Sequence, residues 1–179
     1  EKSNELSGTV NLVGSKNATL PIIAASILVK GKVVLTNVPC LTDVFNMQLL
    51  LESFGSKINF DQKNRIMEID NSELNAFKVD ALIMKKMRAS TLVMGPLLSR
   101  FKAFEIAFPG GCVLGARPID FHLKAFSKMG AKINILSPAT IEIDGVDKLN
   151  PASYEIMFDR LEAGSFLLAT AIVGGKIFL

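Results

Sequence analysis

The sequence predicts an α/β fold built from repeated units, in which apolar helices are buried and sheets lie outside. Residues 55–59 (Gly-Ser-Lys-Ile-Asn) return in closely similar form at 130–134, and a strand-like stretch follows in both places. In addition, Lys16, Arg88 and Arg160 follow one another at equal spacings of 72 residues. Each stands at the start of a helical segment of small and apolar residues.

The three apolar helices are the first kind of helix in the predicted unit. They are predicted at 18–28, 89–98 and 164–172. They are apolar nearly all round, so burial is expected. Each is followed by a short turn and a predicted strand, at 32–36, 103–107 and 176–179.

A second kind of helix is amphipathic and is predicted at 44–54 and 121–129. Asp43 and Asp120 lie at the starts of these helices, where a carboxylate meets the positive end of the helix dipole. A glycine follows the end of each helix and reads as a C-terminal cap. Both helices therefore have start and stop signals in the sequence.

The predicted unit runs strand, buried helix, strand, exposed helix, strand. We expect one unit at about 8–75, a second at 76–150 and an incomplete third at 151–179. One unit cannot cover its own apolar faces, so several should pack around shared helices in a single partial domain over 1–179. Periodicity alone leaves ordinary parallel βαβ layers open as an alternative.

Composition narrows the function classes. The chain is 49% hydrophobic and 21% charged, which indicates a globular protein, and its net charge of +3 is spread along the sequence rather than gathered in a nucleic-acid-binding arm. Residues 20–29, the longest apolar stretch, contain Pro21 and are too short to span a membrane. No secretory signal is visible at the start. Two cysteines and one histidine predict neither a disulfide framework, nor a metal site, nor a catalytic triad.

The loop at 109–118 is the most informative candidate for chemistry. It holds three glycines and two prolines, which suit a loop whose backbone approaches a ligand and closes over it. Its Cys112 stands five residues before Arg117, whose charge would favour the thiolate if the loop folds back. Taken alone, Cys112 is more often an inert, packed small hydrophobe, and that is the favoured interpretation from the loop by itself. For Cys40, burial without a role is the favoured interpretation.

Cations at helix starts indicate an anionic ligand. Lys16 and Asn17 begin the first apolar helix, where backbone N–H groups favour a phosphate or carboxylate. A solvated lysine beside an asparagine cap is the plain alternative. Arg88 occupies the matching position one repeat later, and cations before a helix start are unfavourable without an anionic partner. Around Arg160, a local salt bridge and cap is the leading interpretation.

Six motifs together resemble the UDP-N-acetylglucosamine enolpyruvyl transferases. They lie at 14–18, 87–90, 95–101, 109–112, 115–120 and 159–164. The resemblance covers nearly the whole chain and implies an inside-out α/β barrel with buried helices and outer sheets. The cysteine loop is its most specific part, because the related shikimate-pathway enzymes share the repeat fold and lack this loop.

The resemblance implies a transferase that moves the enolpyruvyl group of phosphoenolpyruvate onto the 3-hydroxyl of UDP-N-acetylglucosamine, without a metal or other cofactor. It gives Cys112 the role of general acid and site of fosfomycin alkylation, and Lys16 and Asn17 that of binding phosphoenolpyruvate. The residues implied to contact the UDP-sugar are Arg88, Arg117, Pro118, Ile119, Asp120 and Phe121. The implied setting is the cytoplasm and the first committed step of peptidoglycan synthesis, which links it to cell shape and division.

Two departures from the family pattern limit what the resemblance implies. Family enzymes are more than twice as long, with two domains, and usually carry another repeat where this chain runs directly through 135–139. Two alternatives remain. The chain could serve enolpyruvyl transfer to shikimate 3-phosphate, or it could be an inactive remnant that binds a nucleotide sugar or has only a structural role. Missing neighbours should leave apolar helix surface exposed, for example at 20–28 and 165–172, which predicts self-association.

Overall fold

The computed structural model describes residues 7–75, 81–84, 86–108, 119–137 and 140–179. Its helices are α1 (Lys16–Ala25), α2 (Thr42–Ser53), α3 (Ala81–Met84), α4 (Met94–Phe101), α5 (Asp120–Lys128) and α6 (Arg160–Val173). Its strands are β1 (Lys32–Leu35), β2 (Lys57–Asp61), β3 (Ile66–Asp70), β4 (Ala103–Ala107), β5 (Lys132–Ser137) and β6 (Thr140–Asp144). A 3₁₀ turn, Ser26–Leu28, extends α1, and a 3₁₀ helix, Arg88–Val93, leads into α4.

The six strands form two antiparallel sheets with the same layout, in the orders β1-β3-β2 and β4-β6-β5. In each sheet the last strand by sequence lies in the centre. Side chains alternate across a strand, and the central strands bury Met67 and Ile69 in one sheet and Ile141 and Ile143 in the other. The strands at 32–35 and 103–107 lie within one residue of their predicted positions, and β3 and β6 correspond to the strand-like stretches that follow the two repeated segments.

The inner faces of both sheets share one apolar core with the helices. α1 packs against α2 and against the 3₁₀ helix Arg88–Val93, while α4 packs against the 3₁₀ turn after α1. The buried residues of α2 recur at helical spacing, at Val44, Met47, Leu50 and Leu51. α1 therefore packs against the helix Arg88–Val93, and α4 packs against the end of α1. Burial of α1 is one-sided rather than nearly complete, because Ile22 and Leu28 are 50% and 55% exposed while Leu20, Ile23 and Ile27 are buried.

Two polar side chains join the helix layer to the sheets. Asn71, which is fully buried after β3, donates to the Ser26 carbonyl at 2.7 Å and accepts from the Ser56 hydroxyl at 2.6 Å. Arg100, at the end of α4, donates to the backbone carbonyls of Ile27 (2.7 Å) and Asn71 (2.6 Å). Among the described residues, every buried side-chain nitrogen or oxygen has a hydrogen-bond partner. The contact of Arg100 with Ile27 and Asn71 is therefore specific as well as apolar.

Two predictions for the end of the chain are wrong. The third apolar helix forms as α6, but it has no buried residue, whereas burial was predicted for it. Residues 176–179 do not form the predicted strand. A strand needs a neighbour to satisfy its backbone groups, and no strand of the described ranges pairs with this segment. The exposed apolar surface expected around 165–172 is confirmed.

None of the helices within the described ranges is long and apolar enough to cross a membrane.

Candidate functional site

The start of α1 is fixed by a close backbone approach. A β-carbon on Gly14 would lie 2.2 Å from the carbonyl oxygen of Asn37, so only glycine fits where these two loops meet. Asn37 itself adopts a left-handed conformation with φ of 57°. The loop before α1 is therefore held against the turn after β1, which positions the residues that follow.

Lys16 and Asn17 form the first turn of α1, as predicted, and both are exposed. Ser15 occupies the N-cap position in extended conformation, but no side chain caps the helix. The hydroxyl of Thr19 donates back to the Ser15 carbonyl at 2.8 Å rather than serving the helix start. Uncapped N–H groups and the helix dipole leave this end electropositive and accessible to an anion.

Lys16 lies beside a second helix start. Its Nζ is 3.1 Å from Oδ2 of Asp43, which sits in the first turn of α2, and both side chains remain partly exposed. Such a surface pair is worth little by itself. The pair nevertheless keeps the Lys16 ammonium group near the start of α1. A phosphate or carboxylate of a ligand that binds there could replace the Asp43 carboxylate as its partner.

Arg88 opens the 3₁₀ helix that packs against α1. Its side chain lies outside what the structure describes. Ser90, two residues later, is fully buried and donates to the carbonyls of Met84 (3.0 Å) and Met87 (2.7 Å). These bonds fix the backbone from which Arg88 projects.

The second predicted cluster lies at the start of α5. Ile119 is buried, while Asp120 is half-buried and forms an ion pair with Lys124 at 3.2 Å. Phe121 is 40% exposed, and the Lys124 ammonium lies 5.3 Å from its ring centroid. Ile119 therefore anchors the helix in the core, and Asp120 and Phe121 reach the surface.

Asp120 and Phe121 line an open cleft of about 410 Å³. The other lining residues are His122, Tyr154, Ile156, Met157, Phe158, Asp159 and Arg160. The cleft joins a carboxylate and a guanidinium to aromatic surface, which suits a ligand with both polar and ring groups. The wall at 154–158 was not predicted. Its signal in the sequence is an apolar, aromatic stretch directly before a capped helix.

The predicted cap at Asp159 is confirmed. Its Oδ1 accepts from the backbone N–H groups of Leu161 (2.7 Å) and Glu162 (3.4 Å). The predicted local salt bridge is not seen, because within the described ranges no carboxylate forms an ion pair with Arg160. The guanidinium of Arg160 is therefore left to the cleft.

The predicted site residues fall into four sets. Lys16 and Asn17 share the start of α1, Arg88 begins the 3₁₀ helix that packs against α1, and Ile119, Asp120 and Phe121 share the start of α5. Cys112, Arg117 and Pro118 lie outside the described residues. Cys40 was expected to be buried. It is exposed, with its thiol 3.6 Å from the Gln62 carbonyl, because the turn that carries it lies at the surface.

The family model and the most similar curated proteins that we compared all belong to the carboxyvinyltransferases. Residues 1–140 match the family described as EPSP synthase (3-phosphoshikimate 1-carboxyvinyltransferase). UDP-N-acetylglucosamine 1-carboxyvinyltransferase of Campylobacter jejuni subsp. doylei is 41% identical over 179 residues, which cover 98% of this chain and 41% of the relative. The protein of the same name from Wolbachia sp. subsp. Brugia malayi is 36% identical over 247 residues, covering 97% of this chain and 58% of the relative.

The matches to relatives differ in length. The chain spans 41% of the Campylobacter relative and 58% of the Wolbachia relative. The Wolbachia match needs 247 aligned positions for a chain of 179 residues, so that relative has additional residues inside the matched span. The excess is close to the 72-residue spacing of Lys16, Arg88 and Arg160.

Solved structures confirm the predicted fold class. The enolpyruvyl transferase NikO from Streptomyces tendae superposes with a TM-score of 0.69 at 18% identity, covering 83% of this chain and 32% of that one. EPSP synthase from Acinetobacter baumannii superposes with a TM-score of 0.63 at 22% identity, covering 90% of this chain and 37% of that one. At these identities the likeness concerns the fold alone.

Proposed function

The chain belongs to the EPSP synthase family, and from that premise we propose that it serves transfer of the enolpyruvyl group from phosphoenolpyruvate to the 3-hydroxyl of UDP-N-acetylglucosamine. Relatives named for this reaction match 98% of the chain at 41% identity, which favours it over transfer to shikimate 3-phosphate. The observation that carries the proposal is the start of α1, where Lys16 and Asn17 stand at an uncapped helix end.

We assign the start of α1 to phosphoenolpyruvate. The substrate carries a phosphate and a carboxylate, and Lys16 with the free N–H groups of the first turn offers charge and hydrogen bonds to either. The pair between Lys16 and Asp43 is exposed enough to open, so a stronger anion can displace the carboxylate. Arg88, on the adjoining helix, is the second cation proposed to face bound ligand.

We assign the cleft at the start of α5 to the nucleotide sugar. Asp120 can accept hydrogen bonds from sugar hydroxyls, Arg160 can pair with a diphosphate, and Phe121 and Tyr154 offer ring surface to a base or sugar. Arg117, Pro118 and Ile119 precede Asp120 directly and are proposed to complete this site. Its exposure suits a substrate that is only partly enclosed by these residues.

In the proposed reaction the 3-hydroxyl oxygen adds to C2 of phosphoenolpyruvate while Cys112 delivers a proton to the methylene carbon. The proton of the 3-hydroxyl passes through solvent to the leaving phosphate. The Cys112 thiolate takes a proton back from the methyl carbon, and cleavage of the bond from C2 to the phosphate oxygen releases inorganic phosphate and restores the double bond. Cations near the phosphate stabilise the leaving group. The proposal places the protein in the cytoplasm, in peptidoglycan synthesis, and makes Cys112 the target of fosfomycin.

A matched pair of lysines tests the phosphoenolpyruvate assignment. Lys16–Asp43 and Lys32–Glu68 are ion pairs of similar length, 3.1 and 3.2 Å, and similar exposure. Phosphate release is measured with phosphoenolpyruvate and UDP-N-acetylglucosamine for the parent, Lys16→Ala and Lys32→Ala. We expect Lys16→Ala to lower kcat/KM for phosphoenolpyruvate at least tenfold and Lys32→Ala to leave it unchanged. Equal losses would contradict the assignment, and turnover with shikimate 3-phosphate alone would favour the other reaction.

Binding without turnover is the second candidate function, favoured by the repeat-length excess of the Wolbachia relative inside the matched span. Calorimetry would then detect binding of UDP-N-acetylglucosamine to the chain, while the rate of phosphate release would stay at background. Fosfomycin labelling adds an internal control, because the chain has two cysteines and Cys40 is exposed. Sugar-dependent labelling of Cys112 but not Cys40, located by mass spectrometry, supports an assembled site. Equal labelling of both cysteines would speak against it.

A further inference from the structure

The largest unexplained feature of the molecule is the apolar surface of α6. Leu161, Leu168 and Ile172 are 77%, 67% and 83% exposed, and they recur at intervals of seven and four residues, which places them on one helix face. The hydroxyl of Ser165, on the same face, donates to the Leu161 carbonyl at 2.8 Å and needs no water. A contiguous apolar patch of this kind marks a surface that is covered by another molecule or segment.

A second apolar face is left open on α1. Ala18, Pro21, Ile22 and Ala25 are exposed and follow helical spacing, while Leu20, Ile23 and Ala24 on the other side are buried. Ile22 is 50% exposed and stands between two alanines one turn away on either side. Leu92, on the 3₁₀ helix that packs against α1, is 38% exposed as well. The face is therefore apolar, narrow and flanked by small residues.

α6 has the properties that this face requires. It begins 72 residues after the helix that starts at Arg88, which itself begins 72 residues after α1, and those two already pack together. α6 has 14 residues, while α1 and its 3₁₀ extension have 10 and 3, so the lengths correspond. Small residues at Ala18 and Ala25 allow the close approach that helix packing needs, with Ile22 between the larger side chains of α6.

We propose that α6 of one copy docks on the exposed face of α1 of a second copy, and that two copies exchange these contacts reciprocally. Within the part of the chain that the structure describes, α6 buries no residue, and the face of α1 formed by Ala18, Pro21, Ile22 and Ala25 is exposed. Each large side chain of α6 offers on the order of 100 Å². With the matching face of α1, two docks exceed the roughly 1,000 Å² that a specific interface needs.

The test combines light scattering with complementary variants of the full chain. Ile22→Glu damages the face of α1, and Leu168→Glu damages α6. We expect the parent to be a dimer and each variant alone to weaken dimerisation at least tenfold. Mixed in equal amounts, the two variants should form a heterodimer, because one of its two docks carries neither substitution. Phe166→Glu, on the opposite side of α6, is the matched control and should leave the dimer intact.

Several results would overturn the proposal. A monomeric parent at high micromolar concentration excludes the dimer, whether α6 stays exposed or folds onto its own chain. A dimer that tolerates Ile22→Glu but not Leu168→Glu would mean that two copies of α6 pair with each other. If a mixture of Ile22→Glu and Leu168→Glu forms no heterodimer, reciprocal docking is excluded. Circular dichroism of each variant shows that the body is still folded, and no substrate is needed, so the outcome is independent of the proposed reaction.

Discussion

Helices α1 and α6 have the same kind of sequence and opposite environments. α1 buries Leu20, Ile23 and Ala24 against its neighbours, whereas α6, which is at least as apolar, buries no residue. α1 leads directly into β1 of a complete sheet, and Asn71 holds its end through Ser26. α6 follows the segment 145–159, which forms no described helix or strand, and no described strand follows α6.

This difference shows that an apolar helical pattern predicts a helix that needs a packing partner. The pattern does not determine whether such a partner is present. Most helical stability in proteins comes from tertiary packing. α1 packs against α2 and against the helix Arg88–Val93. Both of these helices belong to the same core as the two sheets. Experiments that change equivalent residues in the two helices can therefore separate sequence from environment.

The largest difference is expected from truncating one isoleucine in each helix. Ile23→Ala removes a fully buried side chain of α1 and should cost about 2–5 kcal/mol of unfolding free energy through lost burial and a cavity. Ile172→Ala in α6 should stay within about 0.5 kcal/mol in samples dilute enough to be monomeric. Equilibrium urea unfolding measures both. Similar losses for the two variants would mean that α6 is packed within the monomer.

A polar contact provides the next test of how α1 is held. Asn71→Ala leaves the Ser26 carbonyl and the Ser56 hydroxyl without their buried partner and should cost about 1–3 kcal/mol. Asn134→Ala is the control, because this exposed amide on β5 bonds only the Glu142 side chain at 2.9 Å. Urea unfolding should show little change for the control. A harmless Asn71→Ala would mean that water replaces the amide and that apolar packing alone fixes α1.

Replacing a glycine by alanine is expected to have effects of opposite sign on the stability of α6 and of the rest of the molecule. Both effects should be smaller than those above. A β-carbon on Gly164 would meet no atom within 4 Å, so Gly164→Ala should stabilise α6 by about 0.5–1 kcal/mol through helix propensity. On Gly145 it would lie 2.7 Å from the Leu98 side chain and the Lys102 carbonyl, so Gly145→Ala should destabilise the body. Hydrogen exchange of the amides in α6 measures the first effect, and thermal unfolding measures the second. Faster exchange in Gly164→Ala would show that α6 packs closely at this glycine.

The fold was predictable where the signals are local. Strand alternation, helical spacing and the glycines that end α2 and α5 placed most elements correctly. The exposure of α6 and the missing strand at 176–179 depend on partners far away in sequence, which periodicity cannot supply. The same holds for the site. The pattern placed Lys16 and Asn17 at a helix start, but their neighbour Asp43 and the cleft wall at 154–158 come together only through folding.

The smallest expected effect is electrostatic and belongs to the end of β3. The hydroxyl and backbone N–H of Ser72 donate to Oδ1 of Asp70 at 2.7 and 3.0 Å, and these bonds lower the pKa of the carboxyl. A lowered pKa adds stability that is present above the unfolded value of about 3.9 and is lost as the pH falls through the folded value. Ser72→Ala should raise the pKa of Asp70, so its stability deficit should shrink on acidification below about pH 4.

NMR titration of the Asp70 carboxyl and urea unfolding between about pH 2 and 7 measure this effect together. Ser99→Ala is the control, because its hydroxyl bonds only the Gly95 carbonyl within α4 at 3.0 Å, so any deficit should be the same at each pH. A deficit of Ser72→Ala that does not change with pH would assign the role of Ser72 to turn geometry rather than to charge. In that case packing and neutral hydrogen bonds would account for the end of β3, as they do at Asn71 beside it.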